Sequence, residues 1–145
     1  PAVVHMAWAQ VILAQPQQVR TSPIFVGLGG LACLVLIGAG CAVALEMGWL
    51  GEHWQGMRLY LLPLVVWQGC ASLAAAFSHL PFIYQKGSRY SKQCVSLAAS
   101  QFLALTWPIL LFVDVTPTLH FLMFALMNSV GLLTIAFWCW YGRSK

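Results

Sequence analysis

The sequence predicts an all-α integral membrane protein: four transmembrane helices in an antiparallel bundle, behind a short N-terminal interfacial helix. Three observations predict it. First, 61% of the 145 residues are hydrophobic and 7% are charged, where a soluble domain carries roughly 25% charged residues. Seven basic and three acidic side chains are too few to coat a water-facing surface. Second, the apolar residues come in continuous runs of bilayer length, whereas barrel strands would alternate. Third, the basic residues gather in alternate connectors, as in a chain that crosses a membrane repeatedly. A soluble globule, a disordered chain, a coiled coil and a disulfide-rich miniprotein are all excluded.

The elements follow in order. Residues 1–20 form an N-terminal segment. Its apolar stretch, 1–14, is shorter than the about 20 residues that span a bilayer. His5 and Gln10 interrupt it and Pro16 ends it. It lacks the basic n-region of a signal peptide, so it reads as an interfacial or partner-packed helix. The four-span membrane domain is 21–145, with spans at 24–47, 59–84, 95–113 and 118–141. Thr21-Ser22-Pro23 opens the first. The second is long enough to tilt or kink. Thr116-Pro117 opens the fourth, with Thr as N-cap and Pro at the first helical position. Short connectors predict that neighbouring helices pack antiparallel.

Charge fixes the expected orientation. Arg20 precedes the first span, Lys86, Arg89 and Lys92 fill the second connector, and Arg143 and Lys145 follow the fourth span. Six of the seven basic residues thus share one side. Glu46, Glu52, Arg58 and Asp114 fall on the other. The positive side is the cytoplasmic, matrix or stromal one, and both termini are expected there. Tyr84, Trp138, Trp140 and Tyr141 form an aromatic belt at the basic end; Trp49, Trp54 and Tyr60 form the opposite belt.

Inside the spans, small residues predict close helix contacts. The row Gly29, Cys33, Gly40 and Ala44 on the first span, with Gly38 and Ala42 beside it, is expected to meet Cys70, Ala71, Ala74 and Ser78 on the second. Gln68, Gln101 and Asn128 are the central polar groups. At 1.5 Å per residue, Gln68 and Asn128 lie about 14 and 15 Å below the starts of their spans. Amides in hydrocarbon need partners, so they are expected to face protein. The five cysteines contain no C-x-x-C pair and read as small packing residues. No metal site is expected.

Glu46, Glu52, His53, Arg58, Asp114 and His120 are expected to form a polar ring on the acidic side. Charges at helix ends are far cheaper than charges at the bilayer centre, so the ring needs no catalytic explanation. No cofactor is predicted. Were a haem or quinone bound, His53, His120, Gln68 and Asn128 are the residues on offer. No ionisable group sits at mid-membrane, which argues against a proton pump or ion-coupled transporter. No nucleophile elbow, P-loop or dinucleotide fingerprint is present. The net charge of +4 reflects membrane orientation and does not point to nucleic acid.

The expected function is that of a structural or accessory multi-pass subunit of a larger integral-membrane complex, an organellar energy-transducing one being a candidate host. Its partners are membrane lipid and other membrane subunits. An alternative is a small redox four-helix protein or enzyme using the His and acid ring. A second alternative is a small oligomeric channel or transporter.

Overall fold

The computed structural model describes residues 23–111 and 113–141; the N-terminal segment 1–20 lies outside them. Every regular element among the described residues is helical. Helix α1 is Pro23–Glu46, α2 is Arg58–Phe77, α3 is the single turn Leu80–Ile83, α4 is Gly87–Leu110, and α5 is Pro117–Tyr141. A 3₁₀ turn, Glu52–Met57, joins α1 to α2. Four helical stretches among the described residues are long and apolar enough to cross a membrane, the second, Glu52–Ile83, taking in the 3₁₀ turn, α2 and α3.

Local chemistry sets the ends. After α1, Gly48 adopts φ +70°. The amide of Trp49 donates to Ala44 O at 3.0 Å, and that of Gly48 to Leu45 O at 3.2 Å. This Schellman closure needs a left-handed residue, which glycine adopts without a Cβ clash. Helix α2 stops at Phe77 because Pro81 follows four residues later. The proline ring has no N–H to give the Phe77 carbonyl and collides with it. The second span is therefore broken at Ser78–His79, the kink that its length allowed. At the start of α5, Thr116 Oγ1 accepts from the Leu119 amide at 3.4 Å, so Thr116 caps the helix ahead of Pro117.

One boundary differs from the sequence reading. Helix α4 begins at Gly87, eight residues before 95. Arg89 and Lys92 are good helix formers, so the helix runs on past the hydrocarbon-length core. The second connector shrinks to Tyr84, Gln85 and Lys86, with Gln85 in the left-handed region at φ 55°.

The helices form a row in the order α1, α2, α5, α4. Along the α1–α2 seam, Gly27 meets Leu73 and Ala76, Leu31 meets Gly69, and Gly38 meets Val65; numbers rise on one helix and fall on the other. The α4–α5 seam behaves likewise, with Leu97 against Gly131 and Gln101 against Asn128. Between α2 and α5 the numbers rise together. Tyr60 packs edge-on to Phe121, Trp67 to Phe124, and Phe77 to Trp140, with ring centroids 5.2–5.6 Å apart. Spans two and three are thus consecutive in sequence but separated in space by span four. The buried apolar cluster sits near the basic end, where Ala74, Phe77 and Leu80 meet Ile135, Ala136 and Cys139.

The row on α1 is rotated from the expected one. Gly27, Gly38 and Leu45 are its buried residues. Gly29 and Gly40 have open space where a Cβ would point, and Cys33 is exposed. Helix α1 is apolar on every side, so its sequence carries little information about which side turns inward.

Candidate functional site

Helix α5 carries the interior polar groups, and they fall into layers. At the acidic end, Tyr60 Oη and Thr118 Oγ1 are 3.0 Å apart, joining α2 to α5. Two residues further along α5, His120 Nε2 lies 3.0 Å from the backbone carbonyl of Ala104. A carbonyl only accepts, so Nε2 carries the hydrogen. The carbonyl is available because Pro108, four residues on, has no N–H to close the helical bond. Trp107 packs edge-on against the same imidazole, with centroids 6.3 Å apart.

The middle layer is an amide pair. Gln101 Nε2 donates to Asn128 Oδ1, and Asn128 Nδ2 donates to Phe124 O at 2.8 Å. Asn128 is the largest fully buried side chain of the described residues, at 1% exposure. Ser129, also buried, donates to Ala125 O at 2.7 Å. Asn128 therefore finds its partner on α4. Gln68 is half-buried on α2 and stands outside that pair.

At the basic end, His79 is buried at the break between α2 and α3. Tyr90 of α4 comes down on the same cluster as Cys139 and faces Ser78 and Cys94. The sequence reading passed over this gathering. Its signal was Pro81, which breaks the span beside His79 and turns the chain back toward Tyr90.

The expected acidic-side ring is dispersed. Glu46 and Arg58 form an ion pair, both side chains more than half exposed. His53 is exposed on the 3₁₀ turn. Asp114 lines an open groove with Pro108 and Ile109. His120 turns away from all of them, toward α4. Among the described residues, no three His, Cys, Asp or Glu side chains come together as a metal site would require. Of the four haem or quinone candidates, His120 commits Nε2 to a carbonyl, Asn128 commits its amide to Gln101 and Phe124, and His53 and Gln68 stand apart from both. The Tyr60–Thr118, His120–Ala104 and Gln101–Asn128 contacts each tie α5 to a neighbouring helix.

Two grooves flank the row. One, about 460 Å³ and almost wholly apolar, runs between α2 and α5 past Leu62, Val66, Leu122 and Leu126. The other lies between α4 and α5 at the basic end, about 400 Å³, with Lys86 and Arg89 on its rim and Trp138 and Tyr141 opposite.

No protein-family model matches the chain, and no curated protein or solved structure resembles it significantly.

Proposed function

We propose that the chain is a multi-pass membrane protein acting as a structural, accessory subunit of a larger integral-membrane assembly. The four spans cross in alternating directions, with the basic ends of α4 and α5 on the cytoplasmic, matrix or stromal side. The four spans are each of bilayer length, and six of the seven basic residues are expected at one end. The observation that carries the subunit reading is the outward face of α1. Gly29, Cys33 and Gly40 line it, and none of the described residues covers it. Glycine lowers helix stability by roughly 1 kcal/mol against alanine, and lipid tails do not require it. A close-packed neighbouring helix does. The row arrangement supports the same reading, because among the described helices α1 seats on α2 alone and α4 on α5 and the single turn α3.

The test is native electrophoresis of mild-detergent extracts. Gly40→Leu is expected to release the chain from its large particle, while the unfolding midpoint of the isolated chain does not fall. A large particle that survives Gly40→Leu argues against α1 as the docking face. Cys70→Leu does not serve the same purpose, since Cys70 is buried within the chain. Orientation is tested separately. Cysteines placed by Glu52→Cys and Arg89→Cys are expected to label with a membrane-impermeant reagent from opposite sides. Labelling from one side overturns the four-span arrangement.

A further inference from the structure

The groove between α2 and α5 begins near the acidic end. Leu62, Pro63 and Val66 line one wall, and Leu119, Leu122 and Leu126 the other. We propose that it binds a sterol-type lipid, a rigid polycyclic alcohol whose single hydroxyl lies at the mouth and whose rings fill the groove.

Three features converge on that ligand. The first is reach. Along α5 the groove runs from Leu119 to Ser129, about 15 Å at 1.5 Å per residue. That is half of a hydrocarbon core about 30 Å thick. The occupant therefore belongs to one leaflet, and a partner's spanning helix would overrun the groove by as much again.

The second feature is the polar mouth. Tyr60 Oη and Thr118 Oγ1 are 3.0 Å apart, and either can donate. Two hydroxyls bring two hydrogens, and the bond between them uses one. The other is left for a third partner. Thr118 shares a face of α5 with Leu122, Ala125 and Ser129, which line the groove at i+4, i+7 and i+11. On the α2 wall, Pro63 has no N–H to close the helical bond to Leu59 O. No side chain of the described residues supplies one, as His120 does for Ala104 O. The mouth thus offers one donor and one acceptor, the complement of a single hydroxyl. Arg58, the one Lys or Arg of the described residues at this end, is bound to Glu46, so the mouth suits a neutral head better than a phosphate.

The third feature is the walls. They are branched aliphatic side chains held on two packed helices. A rigid ring system loses less conformational freedom against them than an acyl chain does. The order Arg58-Leu59-Tyr60-Leu61-Leu62 is also the reverse of a short aliphatic–tyrosine–basic pattern proposed for cholesterol contact. That pattern is weak by itself; here it leads directly into the groove at Leu62.

The inference rests on the bilayer-spanning reading and does not depend on any protein partner. The test uses the full chain in phosphatidylcholine nanodiscs with a minor fraction of photoreactive cholesterol. Plain cholesterol, its ketone and octadecanol serve as competitors, and labelled peptides are mapped by mass spectrometry. Labelling is expected within 59–66 and 118–129, and cholesterol is expected to compete it away. The ketone cannot donate to Leu59 O and competes about fivefold less well, the effect of one hydrogen bond. Leu122→Trp and Val66→Trp fill the groove from opposite walls and each abolish labelling. Leu103→Trp, at an exposed position on α4, leaves it unchanged. Thr118→Val weakens labelling and Thr118→Ser restores it. Equal labelling of all three Trp variants means general contact with bilayer lipid and overturns the site. Octadecanol that competes as well as cholesterol assigns the groove to a flexible chain and overturns the sterol. A ketone that competes equally well overturns the hydroxyl contact and the alcohol with it. Absence of labelling in a chain that inserts normally overturns this inference alone. Failure to insert into any nanodisc overturns the bilayer reading with it.

Discussion

His120 supplies the hydrogen bond that Pro108 withholds. The imidazole Nε2 donates to Ala104 O at 3.0 Å, the acceptor that residue 108 would satisfy in an unbroken helix. A proline within a spanning helix leaves such a carbonyl open, and a neighbouring helix is the usual source of its donor. Here the donor ties α4 to α5, close to the connector that joins them.

This relationship predicts non-additive mutations. His120→Ala should lower stability by about 1–2 kcal/mol, the cost of stranding an acceptor. In a Pro108→Ala background the backbone N–H of residue 108 reaches Ala104 O, and His120→Ala should then cost less than half as much. Unfolding of the four proteins in mild detergent measures the coupling. Equal costs in both backgrounds would show that the imidazole acts through packing on Trp107.

The amide pair predicts a second cycle. Gln101→Leu and Asn128→Leu should each destabilise. Their coupling energy should be about 0.6–2 kcal/mol, the range for hydrogen bonds between membrane helices. Gln68→Leu should leave the Asn128→Leu cost unaltered, since Gln68 stands outside the pair. A coupling of zero between Gln101 and Asn128 contradicts the bond.

Two glycines of α1 should respond with opposite sign. A Cβ on Gly38 would lie 2.6 Å from Val65 Cγ2. Valine is stiff at χ1, so Gly38→Ala should cost about 1–3 kcal/mol through overpacking. Gly40 faces open space, and Gly40→Ala should stabilise the isolated chain by up to about 1 kcal/mol through helix propensity. Thermal midpoints of the two variants, side by side, decide which face of α1 is internal.

Gln85 closes α3 at φ 55°. Its left-handed backbone is supported by Lys86 N donating to Pro81 O at 2.7 Å. A side chain in that region costs about 1–2 kcal/mol relative to glycine. Gln85→Gly should therefore raise stability by up to about 1 kcal/mol, part of the gain being lost to the greater freedom of the unfolded chain. A fall in the unfolding midpoint would mean that the glutamine side chain contributes more than its backbone costs.

What the sequence determined by itself was local in origin. Four helices of spanning length follow from runs of apolar residues, because each helix satisfies its own backbone and needs no partner to be legible. The Thr116-Pro117 start of α5 follows from cap chemistry within one turn. The segregation of cations follows from counting charges between runs. The tertiary structure decided everything that depends on helix phase and neighbour choice. Gly27 and Gly38, rather than Gly29 and Gly40, seat on α2, because a helix apolar on all sides presents no preferred face until Leu73 and Val65 select one. Asn128 pairs with Gln101 and not Gln68, because α4 and α5 fold back as a hairpin that brings those two amides to one level. His120 meets a carbonyl instead of a metal-binding set because Pro108 opened that acceptor four residues upstream. Spans and caps depend on residues adjacent in sequence, whereas phase and partner depend on close packing between residues far apart.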